Sequence, residues 1–230
     1  MGKGHNCGAS IRPVKNRVSA EIVASCVDLP VATISDSMAR MTAGGAALRP
    51  MHAGGYLAGP AFTVKTRPGD NLMVHKALDM AEPGDIVVVD AGGDLTNAIV
   101  GEIMLTYAKA RGIAGVIING AIRDTDAIAA DRFPVYAVGT THRGPYREGP
   151  GEIGGDIAID GMVIAPGDLI VGDADGVLCV PQDAAKSVLA AATAKNDTEE
   201  KILALMKDGK LMDRAWIAKA LDTAGVTYVD

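Results

Sequence analysis

Glu102, Arg123 and Asp124 are three charged residues whose types could support metal-assisted chemistry on a small acid. Asp124 offers a hard oxygen ligand of the kind that Mg²⁺ binds while keeping several of its waters. Arg123 can hold a carboxylate through two parallel hydrogen bonds. Glu102 can transfer protons directly or through a water molecule. Together the three residues indicate a site for a small 2-oxo acid, whose carboxylate and keto oxygens can chelate the metal.

An alternative interpretation of Arg123-Asp124 stays open at this point. Neighbouring Arg and Asp side chains on a loop commonly form a solvated ion pair, which contributes about 0–1 kcal/mol. The roles of two histidines also stay open. His75 falls within a helical pattern, which favours packing over ligand binding, whereas His142 lies in a loop and could close over a substrate.

A predicted β-α-β unit brings the three charged residues to one edge of a sheet. Residues 86–89 and 115–118 are apolar runs typical of strands buried on both faces, and a helix is predicted over 98–111 between them. Ligands of such sheets bind beyond the carboxyl ends of the strands. We therefore expect Glu102 to lie near Arg123-Asp124. A helix start near Gly101 would also offer free amides to an anion.

The remaining pattern predicts a mixed α/β chain that ends in helices. The predicted strands cover 55–67, 135–138, 156–160, 162–165, 169–172 and 176–180, and the predicted helices cover 17–29, 182–208, 213–221 and a segment from the N-cap Asp70 to Met80. Pro83-Gly84-Asp85 and Pro166-Gly167-Asp168 each precede an apolar run, which we interpret as one type of turn used twice. The predicted domains are residues 1–181 and a helical extension, 182–230.

Composition excludes several classes of protein. Hydrophobic residues make up 48% of the 230 residues, which is enough for a sizeable core. A net charge of -6 and only 3% aromatic residues argue against a nucleic-acid partner. No apolar run is long enough to span a membrane, and no secretory signal is recognisable, so a cytoplasmic protein is expected.

Common catalytic and metal-binding motifs are missing from the sequence. It contains no G-x-S-x-G, H-E-x-x-H or Walker A pattern, which argues against serine hydrolases, zinc proteases and P-loop nucleotide-binding enzymes. Cys7, Cys26 and Cys179 are widely spaced and odd in number, so neither a disulfide framework nor a zinc site is indicated. Cys26 and Cys179 are expected in the core.

The pattern Gly101-Glu102, twenty residues, then Arg123-Asp124 resembles the class II pyruvate aldolases. That family cleaves 4-hydroxy-4-methyl-2-oxoglutarate and 4-carboxy-4-hydroxy-2-oxoadipate, and it includes the RraA-like regulators of ribonuclease E. The resemblance runs from about residue 33 to residue 181. It is carried further by Gly59-Pro60-Ala61, Pro68-Gly69-Asp70-Asn71, Pro83-Gly84-Asp85, Asn119-Gly120-Ala121-Ile122 and Pro166-Gly167-Asp168.

The resemblance implies a swivelling β/β/α-type layered α/β domain with a C-terminal helical extension, assembled as a homotrimer or homohexamer. It implies that Asp124 anchors Mg²⁺ or Mn²⁺ and that Arg123 grips the 2-oxo acid. Amides of the turn over Gly101, Glu102, Ile103 and Met104 would bind the substrate carboxylate. A carboxylate from the C-terminal segment of a neighbouring subunit, Glu199 or Glu200, would enter the site.

The activity implied is retro-aldol cleavage to pyruvate and a second 2-oxo acid, of the type used in degrading aromatic compounds. A base takes the proton of the C4 hydroxyl, the C3–C4 bond breaks, and a water positioned by Glu102 or Arg123 could protonate the pyruvate enolate. Decarboxylation of oxaloacetate passes through the same enolate. Two alternatives stay open: a non-catalytic RraA-like regulator of ribonuclease E, and another lyase or hydratase on the same scaffold.

Overall fold

A computed structural model describes residues 8–27, 29–40 and 45–229 of the chain. By its contacts the chain forms two compact units, Met1–Ala192 and Thr193–Asp230, so the separation falls inside a long helix rather than at the predicted 181/182 position. The domain assignment itself stays a prediction. Across the described ranges, no helix is long and apolar enough to cross a membrane.

The first unit alternates strands and short helices. The strands are β1 (Ala9–Ile11), β2 (Arg49–Pro50), β3 (Leu57–Thr66), β4 (Ile86–Asp90), β5 (Ala98–Val100), β6 (Gly115–Ile122), β7 (Val135–Thr140), β8 (Gly151–Ile153), β9 (Ile157–Ile159), β10 (Met162–Ile164), β11 (Leu169–Gly172) and β12 (Val177–Val180). The helices of the chain are α1 (Ala20–Ser25), α2 (Val31–Ser37), α3 (Leu72–Met80), α4 (Glu102–Ala110), α5 (Thr125–Ala129), α6 (Ala185–Lys207) and α7 (Ala215–Thr223).

The centre of the sheet is parallel, as the β-α-β pattern predicts. Strand β4 lies between β3 and β6, and β6 pairs with β7, all in parallel. The long strand β3 also pairs antiparallel with β11 through its first half and with β8 through its second half. Because β3, β4 and β6 are parallel neighbours, the loops at their carboxyl ends meet at one edge of the sheet.

The layers follow from where each strand sends its alternate side chains. One face of the central sheet packs under α3, α4 and α5, and the other face packs against β9, β10 and β11–β12. In β11, Ile170 joins that second cluster, while Leu169 and Val171 face α1, α2 and the start of α6. Cys26 and Cys179 are buried in these clusters, as expected. The layered α/β fold with C-terminal helices is thus the one that the sequence predicts.

The Pro-Gly-Asp turns end in buried aspartates that organise the backbone. Asp85 accepts a hydrogen bond from the Glu82 amide at 2.8 Å, and Asp168 accepts one from the Ala165 amide at 2.9 Å. In both turns the carboxylate caps the amide three residues before it, and a strand, β4 or β11, begins at the next residue. Arg17 neutralises Asp85 through two hydrogen bonds of 2.8 and 2.9 Å. The prediction of one turn used twice is confirmed.

Two predicted helices are wrong in extent. The helix predicted over 17–29 is only α1, because the Val18 amide bonds to the Gly167 carbonyl and holds that stretch extended outside the helix. The helix predicted over 98–111 starts at Glu102, because residues 98–100 form β5 alongside β6. The second correction matters for function, because it makes Gly101 the residue that caps α4.

Candidate active site

The N-terminus of α4 is the first component of the candidate site. Gly101 is its N-cap in an extended conformation, and the Gly101 carbonyl accepts the first helical hydrogen bond, from Leu105, at 3.1 Å. The Glu102 amide donates to an Asp124 carboxylate oxygen, Oδ2, at 2.9 Å. Within the described part of the chain, nothing accepts from the amides of Ile103 and Met104. The helix therefore presents two free amides and the positive end of its dipole.

Asp124 is the second component and is held in an uncommon backbone conformation. It follows β6 with φ 62° and ψ 40°, the left-handed region, and serves as the N-cap of α5. This region costs most L-residues about 1–2 kcal/mol, and Asp and Asn are among the few that adopt it routinely. The preceding Arg123 amide donates to the Val100 carbonyl at 3.1 Å, which ties the end of β6 to the start of α4.

Gly101 allows these two components to touch. A Cβ atom added at Gly101 would collide with Asp124 Oδ2 and would lie 2.9 Å from Arg123 Cγ and 3.0 Å from Arg123 Nε. The φ of Gly101 is -148°, which any residue adopts, so space alone requires glycine here. The Arg123 Nε atom lies 3.8 Å from Asp124 Oδ2, and both side chains stay about two-fifths exposed. The pair is thus fixed in place yet accessible.

Two clefts share Arg123 and Asp124 as a common wall. The helix cleft, of about 80 Å³, lies between the starts of α3 and α4 and is also lined by Asn71, His75 and Arg147. The loop cleft, of about 330 Å³, is lined by Ile122–Thr125 and by Thr140, Thr141 and His142. The predicted substrate-binding residues Gly101, Ile103, Met104 and Arg123 all line the helix cleft. A ligand at Asp124 is therefore reachable from both sides.

Glu102 and Glu199 are the two remaining predicted site residues. Glu102 contributes its amide to Asp124, but it lines a third, smaller cleft between α4 and α5 together with Lys109 and Asp131. Its proposed role in proton transfer stays a prediction. Glu199 belongs to the second compact unit, where it pairs with Lys195 at 2.8 Å. Whether Glu199 or Glu200 serves a neighbouring subunit also stays a prediction.

Comparison with known proteins identifies the family of this chain. The family model described as RraA-like (Aldolase/RraA) matches residues 31–179. The chain belongs to the RraA-like family. A Halalkalibacterium halodurans relative with the provisional name of a 4-hydroxy-4-methyl-2-oxoglutarate aldolase is 40% identical over 193 residues, which cover 84% of this chain and 92% of the relative.

Solved structures agree with this RraA-like assignment. An uncharacterized Pseudomonas syringae pv. tomato protein superposes with a TM-score of 0.77 at 28% identity, covering 85% of this chain and 96% of its own. Streptomyces coelicolor RraAS2, described as an unusual member of the RNase ES inhibitor RraA protein family, gives a TM-score of 0.74 at 26% identity and covers 81% of this chain and 97% of its own. The RraA-like relatives thus carry both aldolase and inhibitor names.

The donor set of this RraA-like chain suits a metal held largely by water. In the described ranges, no group of three or more His, Cys, Asp or Glu side chains could cage a metal ion. Asp124 offers its second oxygen, Oδ1, which accepts no hydrogen bond from the described residues, at the rim of the roomy loop cleft. Mg²⁺ is commonly bound through one or two carboxylates while it keeps several waters. Asp124 therefore fits such an ion as its single protein anchor.

Asn71 and Arg147 are cleft residues that the sequence patterns do not single out. The position of Asn71 in the sequence could have indicated a place at the site, because it follows Pro68-Gly69-Asp70 at the carboxyl end of β3. Strand β3 is a parallel neighbour of β4. The Asn71 Nδ2 donates to the Ile99 carbonyl at 2.9 Å and to Met104 Sδ at 3.3 Å, joining α3 to α4. Arg147 has no such signal, since it comes from a Gly/Pro-rich loop that only the tertiary structure places here.

Asp70 holds this loop against α3. Its buried carboxylate accepts hydrogen bonds from the Leu72 amide at 2.9 Å, the Glu148 amide at 2.7 Å and the Gly149 amide at 2.9 Å. Its carboxylate therefore accepts from the first amide of α3, but the N-cap is Asn71, one residue after the predicted Asp70. Burial alone would raise the pKa of Asp70, but the three amides and the charge of Arg67 together keep that pKa below its usual value.

We expect Asp70→Asn to destabilise the fold by about 2–3 kcal/mol at pH 7. The Asp70 oxygen that accepts from the Glu148 and Gly149 amides is either replaced by an NH₂ group or rotated away from them. A depressed pKa stabilises the fold above the unfolded value of about 3.9, and that stabilisation disappears as pH falls through the folded pKa. The difference between wild type and variant, measured by urea unfolding, should therefore shrink as pH falls from about 5 to below the unfolded pKa of about 3.9.

The neighbouring Glu148 provides the matched control. Its side chain is 77% exposed and lies 3.8 Å from Arg67, so Glu148→Gln should change the unfolding free energy by less than about 0.5 kcal/mol. Equal effects of Asp70→Asn and Glu148→Gln would show that the amide contacts of Asp70 contribute nothing specific.

Proposed function

We propose that the chain is a divalent-metal-dependent lyase that cleaves a 4-hydroxy-2-oxo dicarboxylic or tricarboxylic acid into pyruvate and a second 2-oxo acid. The observation that carries the proposal is the convergence of the α4 amides, Arg123 and Asp124 at Gly101, where no side chain larger than hydrogen fits. The aldolase name of a relative 40% identical over 193 residues supports the same conclusion.

Each component has a distinct part in this proposal. The free Ile103 and Met104 amides bind the C1 carboxylate, because a helix N-terminus favours an anion. Arg123 donates to the substrate's oxo-acid end with its rigid fork of N–H groups. Asp124 anchors Mg²⁺ or Mn²⁺, which supplies Lewis acidity at the 2-oxo group.

The reaction that this arrangement supports is a retro-aldol cleavage. A base removes the proton of the C4 hydroxyl, C4 becomes a carbonyl carbon, and the electron pair of the C3–C4 bond stays on C3 as the pyruvate enolate. A water positioned by Arg123 or Glu102 then returns a proton to C3. Oxaloacetate would lose CO₂ to form the same enolate, so decarboxylation is the expected side activity.

The proposed assembly is a homotrimer or homohexamer in the cytoplasm, in which Glu199 or Glu200 of one subunit completes the site of another. Light scattering coupled to size-exclusion chromatography measures the mass of the assembly directly. Mixing an Asp124→Asn subunit with a Glu199→Gln subunit tests the shared site: activity should reappear in the mixture if the two residues serve one site from different subunits.

Release of pyruvate, coupled to lactate dehydrogenase, tests the activity. The substrates are 4-hydroxy-4-methyl-2-oxoglutarate, 4-carboxy-4-hydroxy-2-oxoadipate and oxaloacetate, each with Mg²⁺ and with EDTA. We expect turnover of at least one hydroxy-oxo acid that EDTA abolishes and Mg²⁺ or Mn²⁺ restores. Absence of metal-dependent turnover for all three substrates would contradict the aldolase proposal.

A second candidate function, inhibition of an RNA-degrading enzyme, is favoured by the name of the Streptomyces coelicolor relative. A non-catalytic inhibitor would not depend on a metal anchored at Asp124. The same preparation can therefore be added to a ribonuclease E cleavage assay. Inhibition that persists in Asp124→Asn, together with no pyruvate release by the wild type, would favour the regulator over the lyase.

A further inference from the structure

The α3 side of the helix cleft carries polar groups that the proposed chemistry does not use. Asn71 and His75 come from the start of α3, and Arg147 comes from the loop that Asp70 anchors. They line the same cleft as Arg123, Asp124 and the free α4 amides. The cleft therefore has a second polar wall in addition to the one that binds the oxo-acid end.

Two atoms of this wall are buried polar groups without a partner. Asn71 is 1% exposed, and its Oδ1 accepts no hydrogen bond from any described residue; the same is true of the solvent-shielded Nε2 of His75. Buried polar atoms in native proteins almost always have a partner. The Asn71 orientation is fixed, because its Nδ2 must face the Ile99 carbonyl, so Oδ1 is an acceptor that needs a donor.

The positive charge of this wall is carried by Arg147 and is not paired with a described carboxylate. Arg67 binds Asp70 at 3.1 Å and lies over the ring of Tyr146, whereas Arg147 makes no hydrogen bond or ion pair with the described residues. Burial and then the Arg147 charge lower the pKa of His75, against the opposing effect of Asp79, so the imidazole is neutral at pH 7. A neutral ring thus lies near an uncommitted guanidinium.

We propose that Arg147, His75 and Asn71 form a second substrate-binding wall that recognises a carboxylate and a hydroxyl on the distal half of the substrate. Arg147 and His75 donate to the carboxylate, and Asn71 Oδ1 accepts from the hydroxyl. The inference rests on the proposed function and deepens it, because it assigns the residues that distinguish the distal carboxylate of the substrate from an uncharged group.

The size and charge of the helix cleft suit such a ligand. A volume of about 80 Å³ exceeds several times the roughly 10–15 Å³ that one water requires on the same measure, so a carboxylate with a short chain fits. Of the described residues that line the cleft, Asp124 carries the one carboxylate, whereas Arg123 and Arg147 carry two guanidinium groups. An anionic ligand with charges at both ends therefore matches the two polar walls.

A pair of substrates that differ only at the distal carboxylate tests the inference. The diacid is 4-hydroxy-4-methyl-2-oxoglutarate, and the monoacid, 4-hydroxy-4-methyl-2-oxopentanoate, has a methyl group in place of that carboxylate. Arg147→Gln should raise KM for the diacid by about ten- to a hundredfold, the usual effect of losing a charged hydrogen bond, with little change in kcat. Its effect on the monoacid should stay within about twofold. Equal losses on both substrates would overturn the proposal.

Variants of neighbouring residues distinguish recognition from damage to the fold. Arg143→Gln, in the same loop but lining neither cleft, should leave both substrates unaffected. His75→Gln keeps a hydrogen-bonding group and should retain most of the diacid preference, whereas His75→Leu should lose it. A preference that is the same in both His75 variants would show that the imidazole only packs.

Binding without turnover separates this inference from the proposed reaction. Calorimetric titration of metal-free protein with glutarate and with butyrate compares a dicarboxylate with a monocarboxylate. Tighter glutarate binding that Arg147→Gln abolishes supports the second wall even if no aldolase activity exists. Aldolase turnover with an unchanged diacid preference in Arg147→Gln would overturn the second wall and leave the aldolase proposal standing.

Discussion

Replacing Asp124 with Asn should lower metal-dependent pyruvate release by about a thousandfold or more while leaving the fold intact. A Lewis acid contributes several kcal/mol to stabilising an enolate-like transition state, and each 1.36 kcal/mol is a factor of ten in rate. Among the residues that the structure describes, Asp124 is the one carboxylate that lines either cleft, so none of the other described lining residues can replace it as the anchor.

The choice of Asn isolates the carboxylate charge. Asn tolerates the left-handed backbone at this position and can still accept from the Glu102 amide, so the end of β6 and the start of α4 should keep their places. Alanine would remove both properties and confuse a metal effect with a backbone effect. The thermal unfolding midpoint of Asp124→Asn should therefore stay close to that of the wild type.

A direct metal-binding measurement completes the test. Water-proton relaxation with Mn²⁺ reports binding without turnover, and Asp124→Asn should weaken it by at least tenfold. Asp126→Asn is the matched control, because Asp126 is an exposed acid two residues away that lines neither cleft. If Asp124→Asn retained Mn²⁺ affinity and activity, the metal would have to be anchored elsewhere.

The central architecture could be predicted because it depends on local signals. The apolar runs of β4 and β6, separated by a helix, are sufficient to specify parallel strands, and the rule for strand ends then brings Gly101 close to Arg123-Asp124. The contact between the Glu102 amide and Asp124 is the result. The Pro-Gly-Asp turns are local in the same sense, since Asp85 and Asp168 cap amides only three residues away.

The rest depends on contacts that no short pattern contains. Residues 98–100 are apolar and fit a strand or a helix equally well, and pairing with β6 decides in favour of the strand. The spacing predicts that Glu102 lies near Asp124, but it does not determine whether the backbone amide or the side chain of Glu102 faces that carboxylate. Arg147 reaches the helix cleft only because Asp70, 77 positions earlier, binds the amides of the loop.

The space at Gly101 explains why a glycine precedes the acid in the pair Gly101-Glu102. In the proposed site, a substrate anion and the Asp124 carboxylate both approach the amides at the start of α4, and a side chain at the cap would occupy that space. Serine, aspartate and asparagine are the usual caps of helices. Their absence here leaves the amides available, which is a property of a binding site rather than of a helix optimised for stability.

Gly101→Ala should therefore reduce activity by about a hundredfold or more, with only a modest loss of stability. The new Cβ would overlap Asp124 Oδ2 and crowd Arg123 Cγ and Nε, so it would displace both groups at once. A shift of about 1 Å in a positioning group can cost a hundredfold in rate. Overpacking at this buried glycine should destabilise the fold by about 1–3 kcal/mol, and alanine is compatible with the φ of -148°.

The control for this variant is Gly155→Ala, where a Cβ would meet only the ends of flexible side chains, Arg12 Nη1 at 3.2 Å and a Glu152 carboxylate oxygen at 3.5 Å. Comparing kcat/KM and unfolding midpoints of both variants separates crowding at the site from a general effect of alanine. If Gly101→Ala kept full activity and Mn²⁺ affinity, the close approach of α4 to Asp124 would have no role in the chemistry. Loss of activity with retained folding would instead show that the space at Gly101 positions the metal anchor and Arg123 together.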